Sequence, residues 1–484
     1  MFKRLPIIAA GMLVAACGGV PSSSAIYQGE ESVSDTQQVI RVIARPPVDG
    51  MTPDAVVRGF LDACADSADG YAIAREYLTG TIQNAWNPNT GTQIYDSSRL
   101  SMSTTGDHIV ATAPLDSSIS TLGKLSFNAT PSTATEQFKM EKDSTGQWRI
   151  AELPNGLMIS RSDFDRSYRA VPIYFLGDRA QELVPDYVML PASGSANATT
   201  LTRALLDGPA AELRPTVTTA IPVGTKLTYS GVPVNNGIAQ VDLSEEVLSA
   251  DKDVREQMSA QLVWTLTSLP GIIGVRITIS GQQFEVPGMS GIQTEADWMQ
   301  YAPQQQGKAT VLYSVSGGNI SQFAASGAAT IVGRANMGVG QEISSAAISP
   351  DRKQFAAVGQ AGKQLLLSAA NEVVMNPIHN GSSMSRPVWT ARNEVVVADY
   401  GVGLVAFEAD GTPKKIQLDT TPFGSASDIK AMSVAKDGVR IAMVFRVGTS
   451  DVLTVGTISW TDVGISIVGT HRIEQSITQV SDLV

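Results

Sequence analysis

Residues 237–244, Gly-Ile-Ala-Gln-Val-Asp-Leu-Ser, are the stretch from which the fold of this chain is best worked out. Asn235 and Asn236 precede them, and an Asn-Gly pair ahead of an apolar run is typical of a tight hairpin turn. The sequence therefore predicts a turn at 235–237 and a strand over 238–243. A partner strand is expected just before the turn, over 226–229.

Upstream of this hairpin the sequence predicts a strand and then a helix. Val171, Ile173 and Phe175 recur at every second position, which favours a strand. Thr199 or Thr200 is expected to cap the helix, since a hydroxyl can accept a hydrogen bond from the first turn. The helix should end at 207–209, Asp-Gly-Pro, because glycine adopts the left-handed conformation readily and proline cannot continue a helix.

Downstream of the hairpin the order of elements is helix and then strand. Apolar residues recur at helical spacing over 254–269, and Pro-Gly at 270–271 ends that pattern. Residues 275–279 then alternate as a strand does. Helices and strands in this order predict an α/β domain, which we place at 166–290.

The same segment resembles the GerMN domain, first described in a spore-germination protein. Five motifs carry the resemblance in the right order: 205–209, 221–225, 237–244, 261–267 and 269–271. The resemblance implies a binding or assembly module, and no catalytic residues come with it.

The region before it, 51–165, predicts two helices followed by antiparallel strands. Thr-Pro-Asp at 52–54 is a good helix start, and a second helix is expected over 73–82. Strands are expected over 108–113, 123–129, 136–141 and 147–152. This order resembles an NTF2-like cone, an α+β fold that serves as a ligand cradle in some proteins and as a spacer in others.

The region 308–484 predicts only short strands, after a linker over 291–307. Turn-like segments at 347–351, 387–390 and 432–438 each precede an apolar run, at spacings of about 41 and 45 residues. That period favours a β-propeller, with a β-sandwich as the alternative. The length allows roughly four blades, so we expect either a truncated sequence or an unusual propeller with exposed strand edges.

The start of the chain predicts export and lipid anchoring. A basic head, Lys3 and Arg4, precedes a short apolar run and Val-Ala-Ala-Cys at 14–17, which resembles a bacterial lipobox. Cleavage is expected between Ala16 and Cys17, with an S-diacylglycerol and an N-acyl group (palmitate) on Cys17. The segment 1–16 would be the signal peptide and 17–50 a lipidated tether, although an ordinary signal peptide with a chance cysteine is the alternative.

Composition excludes several function classes. The formal net charge of −11 argues against nucleic-acid binding. Cys64 lies on an apolar helical face and is expected to be a buried small residue, not a nucleophile. The histidines His108, His379 and His471 are scattered and lack metal-site spacing, so no metal site is expected.

Two motifs imitate catalytic or cofactor sites. Residues 401–406 match a relaxed dinucleotide fingerprint, but a turn follows where that motif needs a helix. Ser433 and Lys436 have the Ser-x-x-Lys spacing of penicillin-binding enzymes, but their companion motifs are absent from the sequence. We therefore expect neither catalytic nor cofactor-binding residues, and no enzyme activity.

A lipobox, an NTF2-like region, a GerMN domain and a propeller-like region resemble, in that order, the actinobacterial LpqB lipoprotein family. The resemblance implies a cell-membrane lipoprotein on the extracytoplasmic face. It would bind the extracytoplasmic domain of the sensor histidine kinase MtrB, in the MtrA/MtrB two-component system that governs envelope homeostasis and division. The alternatives are an envelope ligand-binding protein acting on peptidoglycan-related partners, or a scaffold.

Overall fold

A computed structural model describes residues 44–177, 182–194, 196–284, 286, 289, 291–303, 311–324, 327–335, 342–419, 425 and 428–473, without the side chains of 128–130. The predicted signal peptide, the lipidation site Cys17 and the tether up to residue 43 lie outside the described residues. The described part forms an N-terminal α+β domain, a middle α/β domain and a C-terminal all-β domain.

The first helix, α1 (Pro53–Ala63), begins where the sequence predicted. The Thr52 hydroxyl accepts a hydrogen bond from the Ala55 amide at 3.4 Å, and proline occupies the first helical position. Its apolar face, which includes Val56 and Phe60, is buried against the sheet of this domain.

The single helix expected over 73–82 is wrong. Two short helices form instead, α2 (Ala72–Arg75) and α3 (Gly80–Ala85). Between them Leu78 makes a parallel bridge to Ile150, and the Thr79 amide donates to the Ile150 carbonyl at 2.9 Å. The helix is interrupted here because the backbone at Leu78 and Thr79 pairs with Ile150, which lies about 70 residues later in the sequence.

One mixed sheet forms the rest of the N-terminal domain, in the order β5-β4-β3-β1-β6 with β2 paired to β3. The strands expected over 123–129 and 136–141 are one continuous strand, β4, because β3 pairs along most of its length. The NTF2-like assignment stays a prediction. The strands are β1 (Thr92–Tyr95), β2 (Ser101–Thr105), β3 (His108–Ile119), β4 (Leu125–Lys142), β5 (Trp148–Glu152) and β6 (Leu157–Ser160).

The middle domain follows directly from helix α4 (Arg161–Ser167). Its two sheets have the orders β8-β7-β9 and β10-β11-β12-β13, and α5 and α6 share a hydrophobic core with them. The elements are β7 (Tyr168–Gly177), β8 (Leu183–Pro191), α5 (Asn197–Asp207), β9 (Val217–Thr218), β10 (Val234–Asn235), β11 (Ile238–Leu243), α6 (Lys252–Thr267), β12 (Gly274–Ile279) and β13 (Gln282–Gln283).

The hairpin turn at 235–237 is confirmed, with φ values of 51° at Asn236 and 77° at Gly237. The predicted helix cap is wrong: α5 already begins at Asn197, and the Thr199 hydroxyl instead accepts from the Val232 amide at 2.9 Å. The strand expected over 226–229 is reduced to a single bridge between Leu227 and Leu243.

The predicted linker at 291–307 needs correction over its described part, 291–303. A 3-10 helix at Glu295–Tyr301 places Trp298 in the core of the middle domain, fully buried. Its indole nitrogen donates to Gln293 Oε1 at 3.0 Å, and its carbonyl accepts from Trp264 Nε1 at 3.3 Å. The buried Trp298 side chain therefore makes the described segment 291–303 part of the middle domain.

The C-terminal domain contains sixteen described strands in three hydrogen-bonded sheets. Their orders are β14-β15-β16-β20-β19-β18-β17, β21-β22-β23-β24 and β25-β29-β28-β27-β26. The strands are β14 (Leu312–Ser316), β15 (Asn319–Phe323), β16 (Ala329–Ala335), β17 (Ser345–Ile348), β18 (Gln354–Gly359), β19 (Gln364–Ala369), β20 (Val374–Asn380), β21 (Val388–Trp389), β22 (Val395–Asp399), β23 (Gly403–Phe407), β24 (Pro413–Lys414), β25 (Ile416–Leu418), β26 (Ile429–Val434), β27 (Arg440–Val447), β28 (Ser450–Thr461) and β29 (Gly464–Arg472).

These strands pack as successive small layers, and the pairing of β16 with β20 joins the first two layers, β14–β16 and β17–β20, into the seven-stranded sheet. The hydrophobic clusters lie between β14–β16 and β17–β20, between β17–β20 and β21–β24, and between β21–β24 and β26–β29. On β22, Val395 and Val397 face one neighbouring sheet, whereas Val396 and Ala398 face the other. Each inner sheet is therefore buried on both faces, as blades of a propeller are.

Short 3-10 helices complete the described structure. They occur in the connections of all three domains. Their bounds are Ala68–Gly70, Pro88–Thr90, Ser97–Arg99, Glu245–Ser249, Glu295–Tyr301 and Gln360–Gly362.

Candidate functional site

The candidate site is a cleft where the middle domain meets the last sheet of the C-terminal domain, which we call the second junction. Its volume is about 520 Å³. β7, β8, α6 and Pro303 supply one wall, and the turn between β26 and β27 supplies the other. Clefts between domains are common places for ligands to bind.

Polar contacts from the last sheet fasten this junction. Arg440 Nη2 donates to the Pro185 carbonyl at 2.7 Å, and its other terminal nitrogen pairs with Asp437. The hydroxyls of Thr457 and Ser459 donate to the carbonyls of Glu212 at 2.9 Å and Pro215 at 3.0 Å. Neighbouring Val439 is buried in the core of the middle domain.

Aromatic side chains form the middle-domain wall. The rings of Tyr174 and Trp264 meet edge to face, with centroids 6.4 Å apart. Tyr187 is 53% exposed, and the Arg440 guanidinium lies 6.0 Å from its ring centroid. Burial raises the pKa of Tyr174 to about 12, with smaller effects of Tyr187 and Glu295, so its hydroxyl stays protonated at neutral pH.

Two side chains of opposite charge line the cleft without an ion pair. Glu182 lies on the middle-domain side, and Lys436 on the opposite turn. Among the residues that the structure describes, neither has an ion-pair partner, and the hydroxyls of Tyr174 and Tyr187 have no hydrogen-bond partner. By contrast, Asp437 and Arg440 satisfy each other.

A smaller cavity of about 120 Å³ lies where the N-terminal and middle domains meet, which we call the first junction. The hydroxyls of Thr92 and Tyr168 lie 3.3 Å apart, and Tyr71 lines the same cavity. Asn197 Nδ2 donates to the Pro191 carbonyl at 2.8 Å, and Arg75 donates to carbonyls including that of Gly70. Thr92 and Tyr168 are therefore paired with each other, and Asn197 and Arg75 are paired with backbone carbonyls.

One acidic side chain, that of Glu136, is buried in the interior of the N-terminal domain. Glu136 is 6% exposed, and Gln93 Nε2 lies 3.5 Å from its Oε1. Burial raises the pKa of Glu136 to about 7. Burial also raises the pKa of the Cys64 thiol well above its usual value, with Glu136 and Asp62 adding to the effect. Cys64 is a free, buried cysteine, as the sequence predicted, and its thiol is not activated.

The remaining sequence motifs do not assemble into a site. Residues 403–406 of the dinucleotide-like motif lie on strand β23, where that motif would need a helix to receive a pyrophosphate. Ser433 lies on β26, and Lys436 follows in the turn. Within the described ranges, no group of three or more His, Cys, Asp or Glu side chains could hold a metal ion.

The sequence reasoning missed the cleft residues. Tyr174, Glu182 and Tyr187 belong to the middle domain, but Lys436 and Arg440 lie about 250 positions later. One local signal was available: a tyrosine at an outward-facing position of β8, two residues after Pro185. Nothing local links that strand to the β26–β27 turn.

Three family profiles match the chain. Residues 46–165 match the N-terminal domain of lipoprotein LpqB, 172–285 match a family described as sporulation and spore germination, and 318–481 match the LpqB β-propeller domain. The GerMN-like and propeller-like assignments from the sequence agree with these matches.

Curated relatives are similar over most of the chain. Lipoprotein LpqB of Cutibacterium acnes is 29% identical over 475 residues, covering 94% of this chain and 79% of the relative. The Mycobacterium tuberculosis LpqB is 28% identical over 463 residues, covering 90% and 76%. The Thermobifida fusca LpqB is 31% identical over 291 residues, covering 57% and 46%.

Solved structures show weaker likeness. The first GerMN domain of the Bacillus subtilis sporulation protein GerM is 23% identical, covers 26% of this chain and 98% of that chain, and has a TM-score of 0.22. The tandem GerMN domains of the same protein are 18% identical, cover 44% and 62%, and have a TM-score of 0.23. Scores this low add nothing to the fold described above.

The length and hydropathy of the described helices show whether any of them could span a membrane. None of them combines the length and the apolar character that a bilayer-spanning helix requires.

Proposed function

Because the chain belongs to the LpqB lipoprotein family, we propose that it is a non-enzymatic accessory protein that binds the extracytoplasmic domain of an MtrB-type sensor kinase. In this proposal it influences signalling through the MtrA/MtrB two-component system and thereby envelope homeostasis and division. A lipid on Cys17 holds it at the extracytoplasmic face of the cell membrane.

The hydrogen bonds between the middle and C-terminal domains at the second junction are the observation that most strongly supports an adaptor role. Arg440, Thr457 and Ser459 join the middle and C-terminal domains through three hydrogen bonds to backbone carbonyls. Two joined domains offer one extended surface, which suits the binding of a protein partner. An accessory protein shifts a kinase between states only if it binds one state better than the other.

The anchor has a mechanical consequence for this role. Two or more acyl chains hold a protein stably at a membrane, whereas one holds it marginally. Confinement to the kinase's own membrane raises the effective concentration of the lipoprotein near the kinase. A Cys17→Ala variant of the full chain should therefore leave the membrane fraction, and a variant that stays there would contradict the anchor.

The regulatory part is tested with full-length kinase in proteoliposomes. Adding the full lipidated chain should change the rate of kinase autophosphorylation, and the Ser433→Ala variant should act like the wild type because no catalysis is involved. An unchanged rate at saturating lipoprotein would contradict regulation. Loss of the effect with Ser433→Ala would contradict the non-enzymatic role.

A second candidate function is that of an envelope ligand-binding protein. The second junction supports it, because its cleft is large and contains polar groups that no described residue satisfies.

A further inference from the structure

The cleft of the second junction has the properties of a specific ligand site. We propose that it binds an uncharged glycan chain, held between the tyrosines of the middle domain and the β26–β27 turn. This inference is independent of the proposed kinase partner. A glycan-binding site could be present with or without that partner.

Size and position are the first argument. Ligand clefts fall in the range of about 300–1,000 Å³, and this one holds about 520 Å³. The junction cavity on the other side of the middle domain holds about 120 Å³. Only the larger of these two described cavities has room for a sugar unit and its neighbour.

The aromatic wall is the second argument. Tyr187 exposes 53% of its surface although it lies in a cleft at a domain boundary. A tyrosine offers an apolar ring face and a hydroxyl at its edge. A pyranose ring has the same division, with C–H groups on its faces and hydroxyls at its rim. Tyr174 and Tyr187 can therefore contact both parts of a sugar.

The charges of the cleft give the third argument. Asp437 and Arg440 neutralise each other, and Glu182 and Lys436 are equal and opposite. The described residues that line the cleft therefore carry no net charge to attract an ionic ligand. The buried Asp186, which is not part of that lining, lies 3.9 Å from Arg440 Nη2. Glu182 can accept hydrogen bonds and Lys436 can donate them, and a hydroxyl can serve either group. An uncharged ligand rich in hydroxyls fits this pattern.

An extended peptide is disfavoured by the strand that borders the cleft. β8 is at the edge of its sheet, where a peptide could add as a further strand. Pro185 lacks an amide hydrogen at that edge, and its carbonyl already accepts from Arg440. Backbone pairing is therefore blocked at the point where the strand faces the cleft.

The test is calorimetric titration of the full chain in detergent micelles with four uncharged tetrasaccharides: chitotetraose, cellotetraose, maltotetraose and mannotetraose. We expect at least one to bind saturably, with a Kd between about 10 μM and 1 mM. Tyr187→Ala should weaken that binding by about tenfold, through loss of the ring contact. Tyr174→Phe should weaken it less, because the ring remains.

The matched control is Tyr229→Ala, since Tyr229 is a 64% exposed tyrosine of the same domain that does not line the cleft. It should bind like the wild type. Three results would overturn the proposal: no binding of any tetrasaccharide, equal binding by the wild type and Tyr187→Ala, or binding of tetra-alanine with free termini in place of the sugars. Tyr187 is exposed, so circular dichroism of its variant should match the wild type.

Discussion

The two junctions of the middle domain use similar residues in different ways. At the first junction, the hydroxyls of Thr92 and Tyr168 lie 3.3 Å apart beside a small cavity that Tyr71 also lines. At the second junction, Tyr174 and Tyr187 line a cleft more than four times as large, and their hydroxyls form no hydrogen bond with any described residue. A tyrosine at a domain boundary therefore joins two domains at the first junction and lines a cleft at the second.

The difference follows from what satisfies the polar groups. A buried hydrogen-bond network that is fully paired stabilises one arrangement of the domains. Polar groups left unpaired at an accessible cleft remain bonded to water, and a ligand can replace that water. We infer that the first junction holds the N-terminal and middle domains in one arrangement and that the second is available to bind a ligand.

The largest expected effect comes from removing the support of the second junction. Trp298→Ala should destabilise the protein by about 3–5 kcal/mol, the usual cost of deleting a buried tryptophan. Trp298 is fully buried and its carbonyl accepts from Trp264, which lines the cleft. Denaturant unfolding followed by circular dichroism measures the change. Met299→Ala, at a 59% exposed neighbour, should change stability by no more than about 0.5 kcal/mol.

A smaller effect is expected from Glu136 in the N-terminal domain. Its pKa of about 7 in the folded chain lies above the ordinary value of 4.5, so the folded state binds the proton more tightly. This contribution to stability is full below pH 4.5 and is lost as the pH rises through 7, by roughly 3 kcal/mol. Glu136→Gln should remove that part of the pH dependence without changing binding at the second junction. Denaturant unfolding at pH 5 and pH 8 gives the change in unfolding free energy between the two pH values. An equal change in the wild type and in Glu136→Gln would contradict the prediction.

The sharpest comparison pairs one tyrosine from each junction. Tyr168→Phe should destabilise the protein by about 1–3 kcal/mol, because it leaves the buried Thr92 hydroxyl without its partner. Tyr174→Phe should change stability by no more than about 0.5 kcal/mol, because its hydroxyl has no described partner to lose. Thermal unfolding of the two variants side by side measures this. Equal losses would remove the distinction between the junctions.

Local chemistry explains how much of the fold was predictable. The turn at Asn236 and Gly237 and the start of α1 at Thr52 depend on neighbours in sequence, and they were predicted correctly. The break between α2 and α3 depends on pairing of Leu78 with Ile150, and the burial of Trp298 depends on Trp264 and Gln293. Such contacts between distant segments have no local signature.

The candidate site was less predictable than the fold. Tyr187 and Arg440 meet only because two domains pack together, and they are about 250 residues apart. Lys436 was interpreted from the sequence as part of a Ser-x-x-Lys motif, whereas the structure places it in the cleft wall. Lipidation of Cys17 stays a prediction, since that residue lies outside the described part of the chain.

The most direct test of the accessory role is a calorimetric titration of the full chain, in detergent micelles, with the purified extracytoplasmic domain of the MtrB-type kinase from the same organism. The account predicts saturable binding with a Kd in the micromolar range or tighter, retained by Ser433→Ala. Absence of heat with a kinase domain shown to be folded would contradict the proposed function, whatever the tetrasaccharide titrations show.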